Sequence, residues 1–361
     1  MNLSSDPSPR TTLAAHPDGV VPFRNSQTVL EVRDLAVHFF TDYGLLKAVD
    51  GINYSLNSGE TLAIVGESGS GKSVGALALI GLVPSPGKIV SGRVLFNGAD
   101  LAQTSEGDLR KIRGNRIAMI FQDPLTSLNP VMNIGNQIGE VIRGHQGASR
   151  SQARQRAIEL LEQVEIPRAR ERIGDYPHQL SGGMRQRVMI AMAIALEPAV
   201  LIADEPTTAL DVTVQAQILL LLKGLQKDSR MGLILITHDL GVVAEHAETV
   251  AVMYAGKIAE YAPVNELYAK PYHPYSIGLM NSIARLDRER TGPLKPIQGQ
   301  PPSMIRVPSG CPFHPRCAHA REVCISDYPD LLPTLEDPQR LAACHFAGDL
   351  PPPRSRDQIE R

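Results

Sequence analysis

The chain has 361 residues, with 36 Lys and Arg against 38 Asp and Glu, a net charge of −2 and a pI near 6.6. That length allows two or three domains and an ample core, and the charge balance lacks the basic excess of a domain built to grip nucleic-acid phosphates. With 43% hydrophobic and 20% charged residues, collagen-like, wholly disordered and polytopic membrane chains are excluded, and no apolar stretch approaches the roughly 18–20 residues of a membrane span.

The first residues, MNLSSDPSPR, lack the charged start and apolar run of a signal peptide, which points to the cytoplasm. Residues 1–27 are polar and rich in Ser, Pro and Thr, the composition of a disordered tail. From Thr28 to about residue 260, short apolar runs end in Gly or Asp turns: TLAIVG, RVLFNG, RIAMIFQD, AVLIADEP, GLILITHD and TVAVMYAG. Several carry no polar alternation, as strands buried on both faces should not. Between them, SQARQRAIELLEQVEI places Ala157, Leu160, Leu161 and Val164 on one helical face. The pattern predicts an α/β domain with a mostly parallel sheet.

The run Thr61–Val65 leads into GESGSGKS, Gly66–Ser73, which fits G-x-x-x-x-G-K-[ST] and opens a helical stretch, SVGALALIGLV. In such a loop the backbone N–H groups of Gly66, Ser68, Gly69, Ser70 and Gly71 curl around phosphate oxygens. Lys72 reaches the β- and γ-phosphates, and Ser73 ligates Mg²⁺ through its hydroxyl. Farther on, AVLIADEP ends an apolar run in adjacent carboxylates. Asp204 is suited to hold Mg²⁺ and Glu205 to polarise an attacking water, with a helix N-cap pair the alternative for two such carboxylates. LSGGMRQR, Leu180–Arg187, puts Ser181, Gly182 and Gly183 at the start of a helix, a second anion site.

After Lys270 the chain becomes Pro-rich, with few periodic segments. Residues 271–346 read as a separate, small, loop-rich domain, and 347–361 as a tail. All four cysteines, Cys311, Cys317, Cys324 and Cys344, lie here with C-x5-C-x6-C-x19-C spacing. That confinement favours a shared ligand in a segment with little core of its own, and four thiolates suit either a [4Fe–4S] cluster or tetrahedral Zn²⁺. No C-x2-C pair decides between them, and four unconnected thiols remain the third reading. His314, His319 and His345 are possible substitute ligands.

In order, GESGSGKS, the Gln122 of FQDP, LSGGM, IADEP, the Ala209–Asp211 stretch ALD and the His238 of ITHD resemble the motif set of the ATP-binding cassette (ABC) family, over about residues 28–260. Met184 stands where the best-known signature, LSGGQ, has Gln. The resemblance implies a P-loop NTPase cassette over residues 28–270, with a mostly parallel core sheet, an antiparallel β subdomain and a helical subdomain at about 125–195. It implies that Glu205 is the general base, that His238 contacts the γ-phosphate, that Gln122 touches Mg²⁺ or the attacking water, and that Asp211 lies at a cassette interface. It also implies an aromatic stacked on adenine, Tyr43 or Phe40. Two cassettes would stack head to tail, the Ser181 site of one facing the phosphate loop of the other.

HPYSIGLMNSI, PIQGQPPS and GCPFHPRC are similar to the C-terminal extension of oligopeptide and dipeptide importer ATPases, a group that also takes in nickel. This implies an ATPase subunit working with Mg²⁺ on the cytoplasmic face of the cell membrane, and among the metals it points to the iron–sulfur cluster. The implied partners are a second cassette (a copy or a related chain), two transmembrane permease subunits and, indirectly, an extracytoplasmic solute-binding protein, with no nucleic acid. A soluble ABC ATPase acting on DNA or ribosomes and a plain nucleotide kinase are the competing classes. The first usually carries two cassettes or coiled coils, and LSGGM with His238 speaks against the second.

Overall fold

The computed structural model describes residues 27–208, 210–282, 297–334 and 337–350. The expected tails, apart from Gln27 and residues 347–350, and Ala209 of the ALD stretch lie outside these.

Two long strands, β1 (Thr28–Thr41) and β2 (Gly44–Asn57), form a hairpin and precede β3 (Thr61–Val65) and α1 (Lys72–Leu79). Strands β4 (Gly87–Phe96) and β5 (Ala99–Asp100), helix α2 (Glu106–Ile112) and β6 (Ile117–Ile120) follow. Five helices come next: α3 (Pro124–Ser127), α4 (Ile134–Gln146), α5 (Arg150–Gln163), α6 (Ala169–Arg172) and α7 (Gly182–Ile194). The chain returns through β7 (Val200–Asp204), α8 (Val212–Ser229), β8 (Gly232–Thr237), α9 (Leu240–His246), β9 (Thr249–Tyr254) and β10 (Lys257–Pro263). It ends in α10 (Val264–Ala269), α11 (Pro274–Asn281), α12 (Glu322–Ser326), β11 (Leu332–Pro333) and β12 (Leu341–Ala342).

The larger sheet has the order β11-β12-β10-β9-β3-β8-β7-β6. Its β9-β3-β8-β7-β6 portion is parallel. Every residue of β3, β7, β8 and β9 is buried, which is why these strands read as unbroken apolar runs. The smaller sheet, β2-β1-β4-β5, is antiparallel and shares a core with the first through Leu30, Val32, Val94, Ile64 and Ile234. Helices α3–α7 all fall between β6 and β7 and pack around Ile134, Ile138, Leu161 and Val188. Local signals set their limits. Ser149 and Gln152 form a reciprocal capping box at the start of α5, and Ser181 caps α7.

The C-terminal region is not the separate domain expected. β12 pairs with β10 in register Glu260↔Ala342, so the region widens the central sheet. Phe313, Cys317 and Phe346 share a core with Val65, Val250 and Val252. Nor does the tail begin at residue 347, because Ala347 is buried with Tyr272 and Ala342. The carboxylate of Glu260, fully buried on β10, accepts the backbone N–H groups of Tyr272 and His273 at 2.9 Å each and faces Arg340 at 3.5 Å. Burial pushes this carboxyl above its usual range, and the donors oppose that rise. The region is therefore held by apolar burial against the central sheet, and the four cysteines are not its sole support.

Candidate active site

Four loops leave the C-terminal ends of four neighbouring parallel strands. In spatial order these are the Gly66–Ser73 loop after β3, Thr237-His238 after β8, Asp204-Glu205 at the end of β7, and Phe121-Gln122 after β6. Sheet order thus gathers motifs far apart in sequence at one edge, where open α/β sheets place their ligands.

The phosphate loop is held by its glycines and its lysine. Gly66 and Gly71 have φ of 154° and 103°; a Cβ on Gly66 would lie 2.2 Å from the Met253 carbonyl oxygen, and one on Gly71 2.1 Å from that of Ala48. Only glycine fits there. Lys72 is 6% exposed and donates to the carbonyls of Gly66 at 2.8 Å and Glu67 at 3.0 Å. Burial lowers its pKa, and the nearby carboxylates of Glu205, Asp204 and Glu67 pull it back up. Ser73 donates to Asp204 Oδ1 at 3.0 Å, so the two groups expected at Mg²⁺ already face one another. Burial raises the pKa of Asp204 against the effect of that hydrogen bond.

Glu205 sits at φ 45°, a strained conformation for a non-glycine residue, with its N–H fixed on the Ile236 carbonyl at 2.9 Å. Its carboxylate is the hub of the site. Gln122 Nε2 donates to it at 2.9 Å, Thr208 Oγ1 donates at 2.8 Å, and His238 Nδ1 lies 3.4 Å away. A cleft of about 430 Å³ runs past these groups, lined by Ser68–Val74, Gln122, Glu205, Phe39, Leu46, Ala48 and Met304.

The structure does not bring every expected residue to this cleft. Tyr43 and Phe40 are 89% and 54% exposed and do not line it, whereas Phe39 does. Strand alternation is the reason, since Phe39 and Phe40 face opposite sides of β1. Ser181, Gly182 and Gly183 start α7 with Ser181 and Gly182 exposed, outside their own chain's cleft. Asp211 is exposed and caps α8, accepting the Val214 N–H at 3.0 Å. Sequence reading also missed Glu67 and the C-terminal groups that touch the loop. Tyr275 Oη accepts the Glu67 N–H at 2.8 Å. The HPY of HPYSIGLM is thereby accounted for: His273 Nδ1 caps α11 by accepting the Tyr275 N–H at 3.0 Å, Pro274 occupies the first turn, and Tyr275 reaches the phosphate loop.

Away from this edge, Cys311, Cys317, Cys324 and Cys344 all line one cavity, with His273, His314, His319 and His345 at its margin. None of the four forms a disulfide. His314 Nδ1 is 2.9 Å from the Cys311 carbonyl and His345 Nε2 is 3.0 Å from that of Asp327. Burial pushes the Cys311 thiol up to about 12 and raises that of Cys344 as well. Among the described residues, no group of three or more His, Cys, Asp or Glu side chains could hold a single metal ion as they stand. No helix among them is long and apolar enough to cross a membrane.

Residues 49–208 match the ABC transporter family, and residues 259–324 match the C-terminal region of oligopeptide/dipeptide transporters. The chain is 51% identical to the oligopeptide transport ATP-binding protein OppD of Salmonella typhimurium, covering 88% of this chain and 94% of that one. It is 50% identical to the dipeptide transport ATP-binding protein DppD of Bacillus subtilis, over 84% and 90% of the two chains. Among solved structures it is similar to the dimeric post-hydrolysis state of the ATP-binding cassette MJ0796 bound to ADP and Pi, with a TM-score of 0.57 and 27% identity, covering 65% of this chain and 98% of that one.

Proposed function

Because the chain belongs to the ATP-binding proteins of oligopeptide and dipeptide ABC transporters, we propose that it is the ATP-hydrolysing subunit of a peptide importer, working as one of two stacked cassettes beneath membrane permease subunits. The observation that carries this reading is the convergence of the phosphate loop, Asp204, Glu205, Gln122 and His238 at four adjacent strand ends, with the Ser181 helix start exposed outside that cleft.

In this reading, the Gly66–Ser73 loop and Lys72 bind the phosphates of ATP, with Ser73, Asp204 and Gln122 placed to hold Mg²⁺. Bound there, Mg²⁺ would neutralise charge on the β- and γ-phosphate oxygens. Glu205, fixed by Gln122 and Thr208, orients the attacking water, and His238 stands beside it to meet the γ-phosphoryl group. The adenine would lie against Phe39, Leu46 and Met304, which line the cleft, while Tyr43 stands exposed at the β1–β2 turn outside it. Ser181, Gly182 and Asp211 are exposed, with Gly183 half-buried beside them, on the surface that a second cassette, a copy or a related chain, would close over the nucleotide.

A groove of about 690 Å³ between α4, α7 and the β6 edge is lined by Met119, Phe121, Leu128, Met132 and Met192. It adjoins Gln122, and we assign it to the permease at the cytoplasmic membrane face. The test is reconstitution of the chain with its membrane subunits and solute-binding protein. ATP turnover should rise with added di- or oligopeptide and not with nickel; a response to nickel alone would overturn the peptide assignment.

The four cysteines around one cavity support a [4Fe–4S] cluster. The donor chemistry fits, because four thiols line one cavity, although no three of them converge closely enough as they stand to hold a single ion. A bound cluster would supply structural cross-linking of the loops that carry its ligands. Cys317→Ser is expected to remove the brown colour and about four irons per chain from anaerobically purified protein, while ATP still binds. Iron analysis beside an ATP titration checks this, and stoichiometric zinc without iron would replace the cluster by the zinc reading.

A further inference from the structure

The phosphate loop is gripped from outside the cassette core. Arg316 Nη1 donates to Glu67 Oε2 at 2.6 Å and Nη2 donates to Glu67 Oε1 at 2.9 Å, a two-pronged pair. The Arg316 side chain is 5% exposed. Its guanidinium lies over the rings of Tyr254 and Phe313, Nη1 also donates to Tyr254 Oη at 3.3 Å, and Nε donates to the Gln298 carbonyl at 2.9 Å. A planar fork held this way has little freedom, so it fixes the carboxylate it grips.

Glu67 is the second residue of the loop, and all of its polar groups are held. Its N–H goes to Tyr275 Oη, and its carbonyl accepts from Lys72 Nζ and from the Ser70 N–H at 3.2 Å. Two of these anchors, Arg316 and Tyr275, come from the C-terminal region, which also lends Met304 to the cleft wall. Neither Arg316 nor Tyr275 lines the cleft itself.

We propose that Arg316 is a positioning residue for nucleotide binding, setting the phosphate loop through Glu67 so that ATP affinity depends on the C-terminal region. The proposal rests on the reading that the Gly66–Ser73 loop binds ATP. Arg316 directly precedes Cys317, so whatever orders the cysteine cavity also orders the strut to the loop. Loss of the pair leaves Glu67 free to turn, and the loop N–H groups then spend part of their time out of register with the phosphates.

The test is ATP titration of the purified full-length chain, with Arg316→Gln, Glu67→Gln and the double variant alongside wild type, and with iron content followed throughout. Each single variant is expected to raise the Kd for ATP about tenfold, equivalent to about 1.4 kcal/mol. The double variant should be no worse than the weaker single, because both changes remove the same contact. In the assembled transporter the loss should appear in KM for ATP more than in kcat, which general loosening of the fold would not produce. If Arg316→Gln sheds its metal, Glu67→Gln decides, since it leaves the cysteine segment unaltered. A Glu67→Gln Kd within twofold of wild type, or additive losses in the double variant, would overturn the proposal. Wild-type protein that fails to bind ATP would instead overturn the reading on which it rests.

Discussion

Glu205→Gln is expected to lower ATP turnover by about a hundredfold or more while leaving ATP bound, the scale of a lost general base. The change keeps the side-chain shape, and the strained backbone at φ 45° remains tied to Ile236. Thr208 can still donate to the remaining oxygen, and the phosphate loop and Lys72 are untouched. What is lost is one negative oxygen between Gln122 and His238, where the attacking water must be oriented. Nucleotide should therefore accumulate unhydrolysed, holding two cassettes together. Steady-state turnover in the assembled transporter, with size-exclusion chromatography in ATP, measures both consequences. Turnover within a few-fold of wild type would remove Glu205 from the role of base.

Lys72→Ala should act one step earlier and weaken ATP binding itself by at least about tenfold to a hundredfold. A hydrogen bond to a charged group contributes about 1.5–3 kcal/mol, and every 1.4 kcal/mol is a factor of ten. Three effects combine. The substitution removes the buried cation assigned to the phosphates in the proposed function, and it releases the Gly66 and Glu67 carbonyls that the ammonium holds. It also leaves Asp204 and Glu205 without the ammonium's positive charge, so their field opposes an incoming polyanion. Ser181→Ala is the contrasting case. Ser181 lies outside its own cleft, so the isolated chain should bind ATP as wild type does, and the defect should fall on hydrolysis in the dimer. In a complex joining one Lys72→Ala chain to one Ser181→Ala chain, both lesions should fall on a single nucleotide site. A Ser181→Ala defect that tracked its own phosphate loop would refute the head-to-tail arrangement.

The sequence by itself determined the parts of this protein whose geometry is local. The glycines of Gly66–Ser73 specify a loop because only they accept those backbone angles and the close approach of Ala48 and Met253. Runs such as TLAIV and GLILIT specify central strands because burial on both faces demands apolar residues at every position. Once those strands are recognised, the motifs at their ends mark the site. Tertiary structure alone decided the rest. Which aromatic enters the cleft depends on strand parity, a single step that separates Phe39 from Phe40. Whether the Pro-rich C-terminal region stands apart depended on β12 pairing with β10, two residues long and without periodicity to announce it. The bond between Arg316 and Glu67 joins positions 249 residues apart, and neither residue type is unusual where it stands in the chain. Charge complementarity of that kind becomes visible only when folding buries the guanidinium and leaves a half-buried carboxylate as its partner.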